Sequence, residues 1–230
     1  MKTFKQFLSE KSDAMSVADF KRQLEKDCAP YLAKHRNIAL YRGINPQNDD
    51  MLKPLDVDDR SYNISSQDFL LGAVRNSRKP KDLRQSVHNG LNKIFTSRVG
   101  VPLRSASLFV AKDKVTAMVY GNVYRIFPIG EYHYAWSEYI RDPYYLFNED
   151  DMTDELIDKL DVVKDEVQKK FKKAGAGVFY WSQQAILYGM SLIPDLWQYD
   201  TDLDRCPPGH EIMLVCDKYY AVNDSLQLQF

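Results

Sequence analysis

Cysteine is scarce in this chain, and so is histidine. The three cysteines, Cys28, Cys206 and Cys216, are odd in number and form no CxxC pair, which argues against a disulfide framework and for a reducing compartment. The four histidines are scattered singly. Cys206, His210 and Cys216 come nearest to a zinc set, but their spacing is irregular, and no metal is expected. No apolar run approaches the roughly 18 to 20 residues that cross a bilayer, so no membrane partner is expected. Neither sign of charge dominates: 31 Lys plus Arg against 32 Asp plus Glu leave −1. That balance excludes a protein that coats nucleic acid through a strongly basic field. Internal repeats, low-complexity tracts and a clear linker are missing too. What remains, 230 residues that are 44% hydrophobic and 27% charged, is the composition of an ordinary globular chain at the upper edge of one domain.

Periodicity and punctuation divide the chain. Ser16 caps a helix with apolar residues at Val17, Phe20, Leu24, Tyr31 and Leu32, ended or kinked by Pro30. Residues 37–43, NIALYRG, read as a strand closing on Arg42 and stopped by Gly43. Residues 44–66, rich in Asp, Asn, Pro and Ser, read as a long surface loop. A helix follows over 83–95, then a turn at Gly100 and Pro102, a strand from Ser105 to Val110, and a short helix from Lys114 broken at Gly121. Val123 to Phe127 and Tyr132 to Trp136 are expected as two strands around a Pro128 to Gly130 turn. Tyr132, Tyr134 and Trp136 have strand spacing and are expected in the core. After the N-cap Thr153, Leu156, Leu160, Val163, Val167 and Phe171 are spaced 4, 3, 4 and 4. Acids come early and lysines late, with Gly175 beyond, which predicts one long helix. A Pro- and Asp-rich stretch over 194–208 leads into a strand from His210 through Val222.

Charge is uneven along this layout. Residues 71–130 carry 11 basic and 2 acidic residues, a local +9, while residues 131–166 carry 3 basic and 12 acidic, a local −9. Either the basic third faces an anion, or the two stretches cover each other or are solvated.

Three short elements at strand ends hold the side chains suited to chemistry. Arg42 offers a planar fork of donors that fits a phosphate, and Gly43 beside it lets a ligand approach the backbone. Ser105 and Ser107, two apart on an expected strand, point to one side and can orient a carboxylate and a ligand together. Glu211, at the start of the last strand, can accept a hydrogen bond from a ribose hydroxyl and stabilise a developing oxocarbenium cation.

The order Arg, Ser-x-Ser, Glu over residues 37–222 resembles the R-S-E class of mono-ADP-ribosyltransferases, found among bacterial toxins and phage enzymes. The resemblance implies an α+β fold, a split sandwich of two small antiparallel sheets with flanking helices and NAD in the cleft between the sheets. It implies Glu211 as the catalytic residue, and Arg42, Gly43, Ser105 and Ser107 as the NAD-binding set. The expected activity is transfer of ADP-ribose from NAD to a host macromolecule, with release of nicotinamide and no metal. Ala106 replaces the central Thr of the family's Ser-Thr-Ser element. Members that modify arginine usually carry Glu or Gln two positions before the catalytic Glu, and Gly209 stands there. The acceptor therefore stays open between another side chain, a nucleic acid and water.

The first ten residues, MKTFKQFLSE, resemble the capsid-targeting peptides of internal head proteins of T-even-type phages. A prohead protease removes such peptides after a Leu-x-Glu or Ile-x-Glu site, and Leu8-Ser9-Glu10 matches. Residues 1–10 are thus expected as a propeptide cleaved at Glu10, and residues 11–230 as the ADP-ribosyltransferase-like domain. The protein would be packaged in the virion head and injected into the host cytoplasm. The rival readings are a non-enzymatic head protein that binds a host defence factor, and an NAD glycohydrolase.

Overall fold

In a computed structural model of the chain, which describes residues 14–58, 64–81, 83–148, 152–171, 181–226 and 228, the lead-in segment forms two helices. The Ser16 hydroxyl accepts the Asp19 amide and opens α1 (Val17–Asp27), whose Val17, Phe20 and Leu24 are buried. Pro30 falls in the first turn of α2 (Ala29–His35), where no amide donor is needed.

Among the described residues seven strands follow, paired antiparallel in one sheet: β1 (Leu40–Ile44), β2 (Leu52–Pro54), β3 (Phe69–Ala73), β4 (Leu108–Val110), β5 (Asn122–Trp136), β6 (Gln198–Tyr199) and β7 (Ile212–Asn223). Their order is β1-β5-β7-β3-β2, with β4 added to β7 and β6 to β5. The two long strands β5 and β7 pair from Tyr124↔Asn223 to Ala135↔Met213 and so run the length of the sheet. One edge of β7 is shared. It pairs with β3 at residues 218–222 and with β4 at 212–214. The remaining helices are α3 (Gln85–Val99), α4 (Leu103–Ala106), α5 (Lys114–Met118), α6 (Pro143–Asn148), α7 (Asp154–Val162), α8 (Lys164–Phe171) and α9 (Gln183–Leu192).

Both sheet faces are covered. Alternation along β7 sends Ile212 and Leu214 into a cluster with Phe20, Leu40 and Phe69, and Met213 into a second cluster with Leu91, Phe95 and Met190. Tyr134 and Trp136 are buried and Tyr132 packs against them, so the aromatic stripe is core. At this level the expected α+β class with antiparallel pairing holds, but the described strands form one seven-stranded sheet rather than the two small sheets expected, because the long strands β5 and β7 carry the pairing from end to end.

Four local expectations change. The two strands expected around Pro128 are one strand, β5, because Gly130 (φ +70°) and the irregularity between Ile129 and Tyr132 are absorbed as a bulge. Pro128 lies past Ile126, the last residue paired with β1, so its missing donor interrupts nothing on that edge. The long helix after Thr153 breaks at Val163. Asp165 and Glu166 give α8 its own acidic first turn, and the apolar face continues through Leu156, Leu160 and Val167. The loop expected over 44–66 contains the edge strand β2. Finally, Ser105 to Val110 is not one strand. The Pro102 carbonyl accepts the amides of Ser105 and Ala106, and the Ser107 hydroxyl donates to Leu103 O, so α4 winds a helical turn before β4 begins.

Candidate active site

The shared edge of β7 leaves a gap where β3 and β4 part. A pocket of about 50 Å³ opens there, lined by Arg42, Asp49, Arg75, Arg78, Ser107 and Tyr219 among others. Gly72 makes room for one wall: it faces Tyr219 across the β3–β7 ladder, and a methyl group there would collide with the ring. The pocket is small, well below the roughly 300 Å³ that encloses a whole small-molecule ligand.

Its lining is rich in cations. Arg42 projects from β1 and donates through Nη1 to Phe109 O at 3.0 Å. Burial pulls its pKa below the ordinary arginine value. Arg78 is lowered to about 10, first by burial and then by the charges of Arg42 and Arg104. Arg75 is matched by Asp49, at 3.3 Å, and by Asp50. Three guanidinium groups against the carboxylates of Asp49 and Asp50 leave this wall with an excess of positive charge.

Glu211 stands at the head of β7, on a segment tied residue by residue. Gly209, at φ +81°, donates its amide to Asp113 Oδ2 at 2.6 Å. His210 Nδ1 lies 2.8 Å from Ser137 O, and the Glu211 amide donates to Arg141 O at 2.8 Å. The Glu211 side chain, 14% exposed, pairs with Arg104, 7% exposed. Burial pushes the Glu211 carboxyl up to about 7 against the opposing pull of Arg104. The Arg104 and Arg78 guanidinium groups both lie over the Phe109 ring, at 4.2 and 4.5 Å. Phe109 thus lies between Arg78, which lines the pocket, and Arg104, which pairs with Glu211.

The residues expected from the sequence are distributed over this arrangement. Arg42 and Ser107 line the pocket, while Glu211 is not part of its lining and pairs with Arg104. Ser105 and Ser107 do not share a strand face, since α4 intervenes. Ser105 Oγ accepts from Asn92 at 2.8 Å and lies 2.9 Å from His88 Nε2, while Ser107 Oγ, buried, turns back to Leu103. Gly43 is needed for a different close approach from the one expected. Helix α5 packs on it, and a methyl group there would collide with the Ala117 carbonyl, so the space belongs to the protein. Glu10 lies outside the described residues. Sequence reasoning missed Arg78 and His88, and gave Arg104, which opens the Arg104-Ser105-Ala106-Ser107 element, no role of its own. Arg78 and Arg104 belong to the basic third of the chain, and Arg104 directly precedes the Ser-x-Ser element.

Comparisons with protein-family models, curated proteins and solved structures return no match to this chain.

Proposed function

We propose that the protein uses NAD as a substrate and transfers its ADP-ribose to a host macromolecule. The observation that carries this reading is that Arg42 and Arg78 line one small cationic pocket, and that Arg78 shares the Phe109 ring with Arg104, the partner of Glu211. On this reading Arg42 and Arg78 hold one phosphate of the dinucleotide and the nicotinamide ribose reaches Glu211. NAD supplies an activated glycosidic bond: nicotinamide leaves with the bonding pair, and an acceptor nucleophile bonds the ribose carbon and gives up its proton. Arg104 engages Oε1 of Glu211, and Oε2 is the oxygen that would meet the ribose and offset its developing positive charge. Phe109 and the buried pair keep water from that charge, which strengthens the effect.

Gly209 favours leaving water among the acceptors, since it places no side chain two residues before Glu211. Incubation with NAD labelled in the adenylate half, with and without fractionated host protein, RNA and DNA, tests the reading. Nicotinamide release with label on a macromolecule supports a transferase. Release without attachment makes the protein a glycohydrolase. No release leaves the non-enzymatic binding protein. Packaging in a phage head rests on residues 1–10 alone, and the transferase reading stands without it.

A further inference from the structure

We infer that Arg104 is a positioning residue that aims the Glu211 carboxylate, and that Ser105 and Ser107 act by fixing the turn that carries Arg104. The inference rests on the transferase reading above. A carboxylate withdrawn this far from water needs a partner, and neither serine supplies one. Both hydroxyls are committed to the scaffold. Ser107 closes α4 onto Leu103 O at 2.6 Å, Ser105 is held by Asn92 and His88 from α3, and its carbonyl accepts the Arg78 amide at 3.0 Å. The result is a rigid turn with Arg104 as its projecting side chain.

The Arg104 guanidinium is fixed from two directions. Phe109 supports it at 4.2 Å. Phe109 faces Met213 across the β4–β7 ladder, and Glu211, two residues before Met213, falls on the same side by alternation. The charged groups around Glu211 come from three segments: Arg104 from α4, Arg78 from the stretch after β3, and Asp142 from the stretch before α6. His88 on α3 faces Arg104 and Arg78. Without Arg104 only Arg78 would oppose both burial and Asp142, so the carboxylate would hold its proton more tightly and lose its aim.

The experiment uses the full chain with carboxyl-13C glutamate, the Glu211 signal being assigned by its loss in Glu211→Gln. Carboxyl titrations are recorded for wild type, Arg104→Gln and Arg104→Lys, beside kcat and KM for NAD. In Arg104→Gln the Glu211 midpoint is expected to move from about 7 to roughly 8 or above. Its kcat should fall by about 100-fold with KM within a few-fold. Arg104→Lys, which keeps the charge and spares the fold, should hold the midpoint but lose about tenfold in kcat, because a point donor cannot aim the carboxylate as a planar fork does. Ser107→Ala should lower kcat in the same way, whereas a serine that held NAD would raise KM. An unmoved Glu211 midpoint in Arg104→Gln, or an unchanged kcat in Arg104→Lys, overturns the inference. A shifted midpoint with no nicotinamide release from wild type overturns the transferase reading instead, leaving the pair as a structural one.

Discussion

Arg42 and Arg104 are both drawn away from water beside β4, and Phe109 touches both, yet they are satisfied in different ways. Arg42 has a neutral partner, the Phe109 carbonyl, and two further guanidinium groups, Arg75 and Arg78, beside it in the pocket wall. Arg104 has a carboxylate of its own, Glu211. The first region carries surplus donors and gains from an anion supplied from outside. The second is matched within the chain, and its value to a ligand lies in the oxygen that Arg104 leaves unengaged. On the proposed reading the first region would bind NAD and the second would act on it, and the variants that follow separate the two.

The largest effect is expected from breaking the matched region. Glu211→Gln keeps the shape of the side chain and removes its charge, so nicotinamide release should fall about 100-fold or more while NAD still binds at the arginine pocket. Stopped assays give the rate and calorimetry gives the affinity. Near wild-type release would remove Glu211 from the chemistry.

The converse change belongs to the surplus region. Arg42→Lys retains a charge but loses the planar fork, and NAD affinity should weaken by about tenfold, the worth of one charge-assisted hydrogen bond. Turnover at saturating NAD should change little, the reverse of the Glu211→Gln pattern. Unchanged affinity in calorimetry would reduce Arg42 to a tie between β1 and β4.

The pH dependence sharpens the contrast further, because it acts on one region only. Burial raises the Glu211 carboxyl from 4.5 to about 7 in the folded chain. The ionised form is the one proposed to stabilise positive charge, so turnover should rise severalfold as pH climbs through 7. Stability moves the other way. A group whose folded pKa is raised contributes its full stabilisation below the unfolded value and loses it as pH rises through the folded one, so this contribution fades between about 4.5 and 7. A rate profile and a melting series over the same buffers should therefore slope in opposite directions, and Glu211→Gln should flatten both. NAD affinity at the arginine pocket should stay level across that range, since Arg78, at about 10, remains charged.

The same two regions show what was legible in the sequence. Arg42 and Glu211 could be read because each ends or begins an apolar run, and β1 and β7 form where hydrophobic pattern and glycine punctuation agree. Ser105 was misplaced because the apolar run Leu108–Val110 extends a strand pattern backward, while the hydrogen bonds from Ser107 and to Pro102 O that wind α4 leave no trace in periodicity. Arg104 was invisible as a partner of Glu211: the two are 107 residues apart, and only the pairing of β4 with β7 brings them together. The gap that makes the pocket is likewise a property of two strands sharing one edge of a third. No local signal encodes that arrangement, and Gly72, which makes room for Tyr219, explains itself only once its cross-strand partner is known.

The smallest effect is expected from removing residues 1–10. On the packaging proposal Leu8-Ser9-Glu10 would be the recognition pattern for a prohead protease; the Lys11-Ser12-Asp13 that follows is polar, and the described fold engages the chain only from Met15, which pairs with Val57. Both regions lie far along the chain from this cut, and the packed helix α1 starts only at Val17. A chain starting at Lys11 should therefore match the full one in melting temperature, NAD affinity and nicotinamide release, within experimental scatter. The peptide should act on location instead. Virion-derived protein should begin at Lys11 by intact mass, and Met1–Glu10 fused to an unrelated reporter should carry that reporter into the head. Virion protein that retains Met1, or a reporter left outside the head, defeats the packaging proposal. A large loss of turnover in the shortened chain would instead mean that residues 1–10 support one of the two arginine regions, and the way the loss divides between kcat and KM would say which.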